Sequence, residues 1–206
     1  MSTRRLDRHS RIKPSIAFSS HKLQRMVYAE SRLERDALYM LEFDDSVVAY
    51  VTQPETFGYQ LHGKARVYTP DILIKRKDGQ YQFVEVKPEV NTKDEKFVDK
   101  FLFLQHLFDN EIGIPLCILT DSQIRLGSRI SNYRHLYQAL RMPAPLKEFA
   151  QLKAEFDLNG ISYAELYQYC QQLALPASTP KQILAHGLLR FDITTKLSPA
   201  TLLEVK

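Results

Sequence analysis

The stretch Tyr68–Lys87, "YTPDILIKRKDGQYQFVEVK", decides the architecture. Two apolar-rich runs flank "KDG" at Lys77–Gly79, a turn signal that joins neighbouring antiparallel strands. Alternation along the second run puts Glu85 and Lys87 on one face and Val84 and Val86 on the other. Asp71 follows Pro70, which marks an irregularity in the first run. The hairpin therefore brings Asp71 beside Glu85 and Lys87.

Working outward, "SRLERDALYMLEF" from Ser31 carries a helical apolar stripe, and Ser31 with Glu34 forms a capping-box pattern. "SVVAYVTQP" reads as a strand ending at Pro54, and "TFGYQL" and "ARVYTPDILIK" as two more, turned by "HGK". Beyond Pro88, Thr92 and Glu95 suggest a second capping box, and Phe97, Phe101, Leu104 and Phe108 recur at helical spacing. "IPLCILTD" has the look of a strand buried on both faces. A helix joining two strands makes a crossover, so this strand should run parallel to the one carrying Glu85. The expected main domain is a mixed β-sheet flanked by helices, an α/β class.

"RMPAP" at Arg141–Pro145 is the predicted linker. Three helical patterns follow, the second with Ser162 and Glu165 as a capping box, and then a segment able to return as a two-stranded wing. This predicts a small, mainly helical, winged-helix-like C-terminal domain. The division is residues 1–25 as a basic N-terminal arm, 26–141 as the main domain and 142–206 as the C-terminal domain.

The 206 residues carry a net charge of +4, but residues 1–25 hold seven Lys or Arg against Asp7 alone. Such an arm suits phosphate contacts, and charge alone equally describes a solvated tail. Cys117 and Cys170 belong to no CxxC pair and read as reduced thiols. No apolar run approaches a membrane span and no signal peptide is evident, which predicts a soluble, cytoplasmic protein without a membrane partner. The six histidines lack metal-ligand spacing, and phosphate-cradling Gly-rich loops and GxSxG elbows are missing.

Acid-x-Lys occurs three times: Glu85 with Lys87, Asp94 with Lys96, and Glu204 with Lys206. Asp94 and Lys96 fall on a predicted helix, where i and i+2 diverge. The last copy sits at the chain end with nothing after it to wall in a site. The first alone has a second acid on the adjacent strand. Two carboxylates in mutual reach suit Mg²⁺, with Mn²⁺ a substitute, since Mg²⁺ takes oxygen ligands and keeps waters for substrate. Lys87 can position a nucleophile or neutralise charge on a phosphorane. Glu34 is the best-placed helix acid, with Glu30 as the fallback. Two bland readings stand beside this one. Glu34 can be only the partner of Ser31 in its cap, and Asp71 and Lys87 only a surface ion pair worth under about 1 kcal/mol.

"SRLERDALYMLEFDDSVVAYVTQP", "YTPDILIK" and "FVEVK" in this order resemble the TnsA endonuclease subunit of bacterial heteromeric transposases. The resemblance spans Glu30 to about Thr120 and continues loosely through "GLLRFDITTKLSPATLL". It implies a restriction-endonuclease-like, PD-(D/E)xK fold and a Mg²⁺-dependent DNA endonuclease. Such a protein cuts the 5′ (non-transferred) strands of double-stranded DNA at transposon ends, beside a TnsB-like transposase of the RNase H-like class. The C-terminal domain would dock on a TnsC-like AAA+ ATPase. By motif the implied catalytic residues are Glu34, Asp71, Glu85 and Lys87, with Asp71, Glu85 and Glu34 as metal ligands. Some members have Gln where this chain has Glu85. Rival expectations are a non-catalytic adaptor between transposase and ATPase, and a stand-alone restriction or repair nuclease.

Overall fold

A computed structural model describes residues 15–205. Residues 1–14 of the expected basic arm, and Lys206 of the last acid-x-Lys copy, lie outside the described residues. Residues 16–25 of the expected arm belong to a β-hairpin. Ile16–Ser20 (β1) and Arg25–Ala29 (β2) pair antiparallel, with Ile16 opposite Ala29 and Ser20 opposite Arg25. Alternation sends Phe18, Ser20, Val27 and Ala29 inward. Lys22 sits in the turn, and its Nζ donates to the Asp44 and Val47 carbonyls at 2.5 and 2.6 Å. Its charge is therefore spent inside the fold, which is why composition misread this segment.

Helix α1 (Arg32–Phe43) starts at Ser31 as predicted, whose Oγ accepts from the Glu34 N–H at 3.1 Å. The box is not closed in the expected way. Glu34 Oε2 accepts from the Glu30 N–H at 2.7 Å, one residue before the cap. Leu33, Ala37, Leu38 and Leu41 form the buried stripe of this helix. Fully burying each leucine contributes about 1.5–3 kcal/mol, so Leu38→Ala should cost about 2–5 kcal/mol.

The central sheet contains β3 (Val47–Thr52), β6 (Ile72–Arg76), β7 (Tyr81–Lys87) and β8 (Leu116–Thr120), in the order β3-β6-β7-β8. As expected, β6 and β7 are antiparallel and β7 and β8 parallel. "ARVYTPDILIK" is not one strand. Lys64–Tyr68 (β5) pairs only with Phe57–Leu61 (β4), and the chain turns at Thr69–Asp71 into β6. Proline supplies no N–H for a ladder, so Pro70 is where the two sheets part. His62 and Gly63, with φ of 53° and 69°, make the tight β4–β5 turn, a backbone shape glycine adopts freely.

The crossover helix α2 (Glu95–Leu107) begins later than the Thr92–Glu95 pattern suggests. Asp94 is its cap and accepts from the Phe97 N–H at 2.9 Å. Thr92 instead closes a preceding 3-10 turn by donating to the Glu89 carbonyl. Strand β8 is the sheet edge, and only Leu116 is buried, contrary to the expectation of burial on both faces.

Short α3 (Asp121–Ile124) and α4 (Arg129–Leu140) follow, then α5 (Leu146–Glu155), α6 (Tyr163–Gln172) and α7 (Thr179–Ala185). Ser162 and Glu165 form the predicted reciprocal cap of α6. Leu189–Arg190 (β9) and Glu204–Val205 (β10) pair antiparallel as a short wing. The C-terminal unit does not have a core of its own. Val84 and Val86 of β7, Leu38 of α1 and Leu136 of α4 share one cluster with Leu166, Ile183 and Leu203. Asn132 on α4 donates to the Ile193 and Thr195 carbonyls, and its Oδ1 accepts from the Leu197 N–H. Arg141–Pro145 therefore changes the helix, not the core. A second cluster lies on the other face of the sheet, where Phe83 and Leu116 meet Phe101, Leu104, Phe108 and the β4–β5 hairpin. Among the described residues no helix is long and apolar enough to cross a membrane.

Candidate active site

Strand β7 outruns β6. Ile72 is opposite Val84, so Glu85, Val86 and Lys87 keep only β8 as a strand partner, facing Ile118, Leu119 and Thr120. The Val86 N–H is taken by a side chain instead: Asp71 Oδ2 accepts from it at 2.7 Å. The Asp71 backbone is fixed in turn, because its carbonyl accepts from the Gln53 N–H at 2.8 Å. Pro70 thus ends one sheet and sets the acid at the mouth of the other.

Glu85 Oε2 accepts from the Tyr68 hydroxyl at 2.7 Å. Its Oε1 lies 3.8 Å from Lys87 Nζ, and the two side chains are 15% and 30% exposed, so the pair opens to solvent on one side. Lys87 Nζ also lies over the Phe97 ring at 4.6 Å from the centroid. That cation–π contact and the glutamate fix where the ammonium sits.

The electrostatics record the crowding. Burial first, and then the nearby charge of Glu85, push Asp71 up to about 7 from the ordinary aspartate value of 3.8. The Val86 hydrogen bond opposes this, Glu34 adds to it, and Lys87 relieves it. Glu34, Glu85 and Lys87 therefore all act on Asp71. Burial and then Glu85 also push the Tyr68 hydroxyl upward, so it remains a donor.

Tyr68 is the residue that sequence reasoning missed. It ends β5, and nothing in its neighbours reveals that the chain folds it under Glu85. Lys100 Nζ, 5.1 Å from the Tyr68 ring centroid, was equally illegible. Glu30 meets Glu34 through its backbone, and it is the Glu34 charge that reaches Asp71.

The donor chemistry fits a hard divalent cation: carboxylate oxygens from Asp71, just before β6, and Glu85 on β7, whose like charge raises Asp71. Among the described residues no three His, Cys, Asp or Glu side chains are gathered to hold an ion. That is compatible with Mg²⁺, which is commonly held by one or two carboxylates and completed by waters and substrate phosphate.

The rival acid-x-Lys copies have other uses. Asp94 caps α2. Glu204 faces Arg190 across the exposed β9–β10 wing, and Asp192 accepts from the Thr194 N–H and hydroxyl.

Residues 44–121 match the family model of the TnsA-like endonuclease N-terminal domain. No curated protein matches the chain. The matched segment runs from the end of α1 to the start of α3 and contains Asp71, Glu85 and Lys87 but not Glu34. Through this β3–β8 unit, the chain is similar to the N-terminal domain of TnsA-like endonucleases.

Proposed function

We propose that this protein is a Mg²⁺-dependent DNA endonuclease, the subunit of a transposase that cuts the 5′ (non-transferred) strands at transposon ends. The observation that carries this reading is the facing of Asp71 and Glu85 where β7 outruns β6, with Lys87 beside them. The matched endonuclease domain supports the reading.

In this reading Asp71 and Glu85 hold the cation, and Glu34 joins them or orients water from the first turn of α1. Mg²⁺ bound there supplies positive charge at the scissile phosphate and eases deprotonation of a nearby water. The protein residues do the positioning. Tyr68 holds one Glu85 oxygen, which leaves the other turned toward Lys87. The Val86 N–H holds one Asp71 oxygen and leaves its second for a ligand. Lys87, steadied by Phe97, places a fixed positive charge where the phosphate becomes more negative, the kind of preorganised stabilisation that costs no rearrangement during reaction. Water attacks phosphorus, its proton passes to solvent or a neighbouring base, and the P–O bond to the leaving 3′ oxygen breaks.

Residues 26–141 are then the nuclease unit, and residues 142–206 the surface that docks a TnsC-like AAA+ ATPase. A TnsB-like transposase supplies the complementary strand cut, and the setting is the bacterial cytoplasm. The test is calorimetry with Mg²⁺ and Mn²⁺ on the wild type and Asp71→Ala, followed by strand-specific cleavage of a labelled transposon-end duplex with the partner transposase. Ion binding that disappears in Asp71→Ala, with 5′-strand products, is expected. Ion binding identical in both proteins would sink the assignment and favour a non-catalytic adaptor. Plasmid cutting without partners would favour a stand-alone nuclease.

A further inference from the structure

A second charged site lies on the flank of α1 next to Glu34. Asp36 is 2% exposed and accepts from three guanidiniums drawn from distant parts of the chain. Arg35 reaches it at 3.1 Å, Arg125 through two nitrogens at 2.9 Å each, and Arg134 at 2.5 Å. Arg32 completes the lining of a cavity of about 540 Å³ shared with Arg35, Asp36, Arg125 and Arg134.

The cluster holds more cation than its own ion pair requires. Four guanidiniums surround one carboxylate, which leaves three positive charges unbalanced. Arg35 Nε is buried with no hydrogen-bond partner. A buried N–H left unpaired costs about 1–3 kcal/mol, so Arg35 Nε favours an acceptor in this pocket. Arg32 has no ion pair among those described. Fixed, forked guanidiniums match the oxygen geometry of phosphate, and Asp36 holds three of them in place before any ligand arrives.

Position gives the pocket its meaning. Arg32 and Arg35 flank Glu34 on the first turn of α1. Arg125 follows α3, which starts where β8 ends, and Thr120 of β8 is the strand partner of Lys87. The arginines and the acidic site thus share α1, which carries Arg32 and Arg35 as well as Glu34.

We propose that this arginine pocket binds a phosphate of the DNA backbone next to the one cut at the acidic site, and so sets the register of the strand in the nuclease. The proposal rests on the endonuclease reading for the identity of the ligand, but its test requires no cleavage. The full-length protein is titrated with a labelled duplex in Ca²⁺ over a salt series, as wild type, Arg32→Gln, Arg32→Lys, Arg32→Gln/Arg125→Gln and a control, Lys147→Gln on α5. The slope of log K against log salt should fall by about 0.9 once the pocket no longer neutralises its phosphate, in part in Arg32→Gln and fully in the double variant. Affinity should drop several-fold in Arg32→Gln, and Arg32→Lys should recover most of the slope. A wild-type slope in Arg32→Gln and in the double variant overturns the proposal. So does a slope lowered equally by Lys147→Gln, which would mean a diffuse charge effect. Inorganic phosphate that raises the melting temperature of wild type but not of Arg32→Gln, with DNA slopes unchanged, would assign a free-anion site and overturn the backbone assignment. DNA bound through the pocket but never cut leaves this inference standing and defeats the nuclease reading instead.

Discussion

Glu42, buried, and Asp71, half-buried, are two acids at opposite ends of the α1 region, and the fold treats them in opposite ways. Glu42, 3% exposed, accepts four hydrogen bonds. The Ser20 and Tyr50 hydroxyls reach Oε1 at 2.6 Å each, and the His21 and Lys22 N–H groups reach Oε2 at 2.9 and 3.0 Å. Asp71 has one backbone donor and faces another carboxylate. A carboxylate whose oxygens are all used is a tie between elements, here from the β1–β2 hairpin to α1 and β3. One left with an open oxygen beside a like charge has the coordination capacity that the proposed cation would use. Glu42 is both deeper and more fully hydrogen-bonded than Asp71, and in the proposed reading that difference in donors separates a structural acid from a metal ligand.

The sharpest way to break this comparison is Lys87→Ala. Cleavage should fall by at least about a hundredfold, while the protein stays within about 1 kcal/mol of wild-type stability, since the side chain is partly exposed and its contact with the Phe97 ring is a single cation–π pair. Normal cutting would remove Lys87 from the chemistry.

Glu42→Ala should do the reverse. Several donors lose their acceptor at once, so urea unfolding should show a loss of about 3 kcal/mol or more, with cleavage per folded molecule retained. A fully stable Glu42→Ala protein would mean that the hairpin is held by packing alone.

Asp71→Asn should stabilise the ion-free protein. The folded-state value of Asp71, about 7, lies above its unfolded value near 3.8, so the folded state binds the proton more tightly. Its contribution favours folding least at high pH: wild-type stability should decline as pH rises from about 4 to about 7 and then level off. Three units set an upper bound of about 4 kcal/mol, and about 2 kcal/mol is expected at pH 8. Mg²⁺ should raise the melting temperature of wild type and leave Asp71→Asn unmoved. Equal stabilities at pH 8 would show that Asp71 is not strained.

The smallest effect compares two tyrosines. Tyr50 donates to Glu42 at 2.6 Å and Tyr68 to Glu85 at 2.7 Å. Tyr50→Phe should cost about 1–2 kcal/mol in denaturant unfolding, and Tyr68→Phe about 0.5–1 kcal/mol, because Glu85 can turn to water. Reversed costs would undo the distinction between the two acids.

Local pattern carried much of this. The turn at Lys77–Gly79, alternation through Glu85–Lys87 and the crossover helix are near-neighbour signals, and they led to the order of β6, β7 and β8 and to three of the candidate residues. The cap at Ser31 was legible for the same reason. Asp94 outcompeted Thr92 as a cap within two residues, a choice too fine for pattern. The hairpin at Ile16–Ala29 was masked because the Lys22 charge advertised solvent while its ammonium was bound to carbonyls.

By itself, then, the chain specified periodicity, turns and the pairing of adjacent strands, because these depend on contacts a few residues apart. Only tertiary structure decided that Pro70 divides two sheets, that Tyr68 lies beneath Glu85, and that the C-terminal helices share a core with α1 and α4. It also decided that Asp36 meets Arg125 and Arg134. These contacts join segments tens of residues apart, where burial and charge balance in three dimensions, rather than spacing along the chain, set which groups meet.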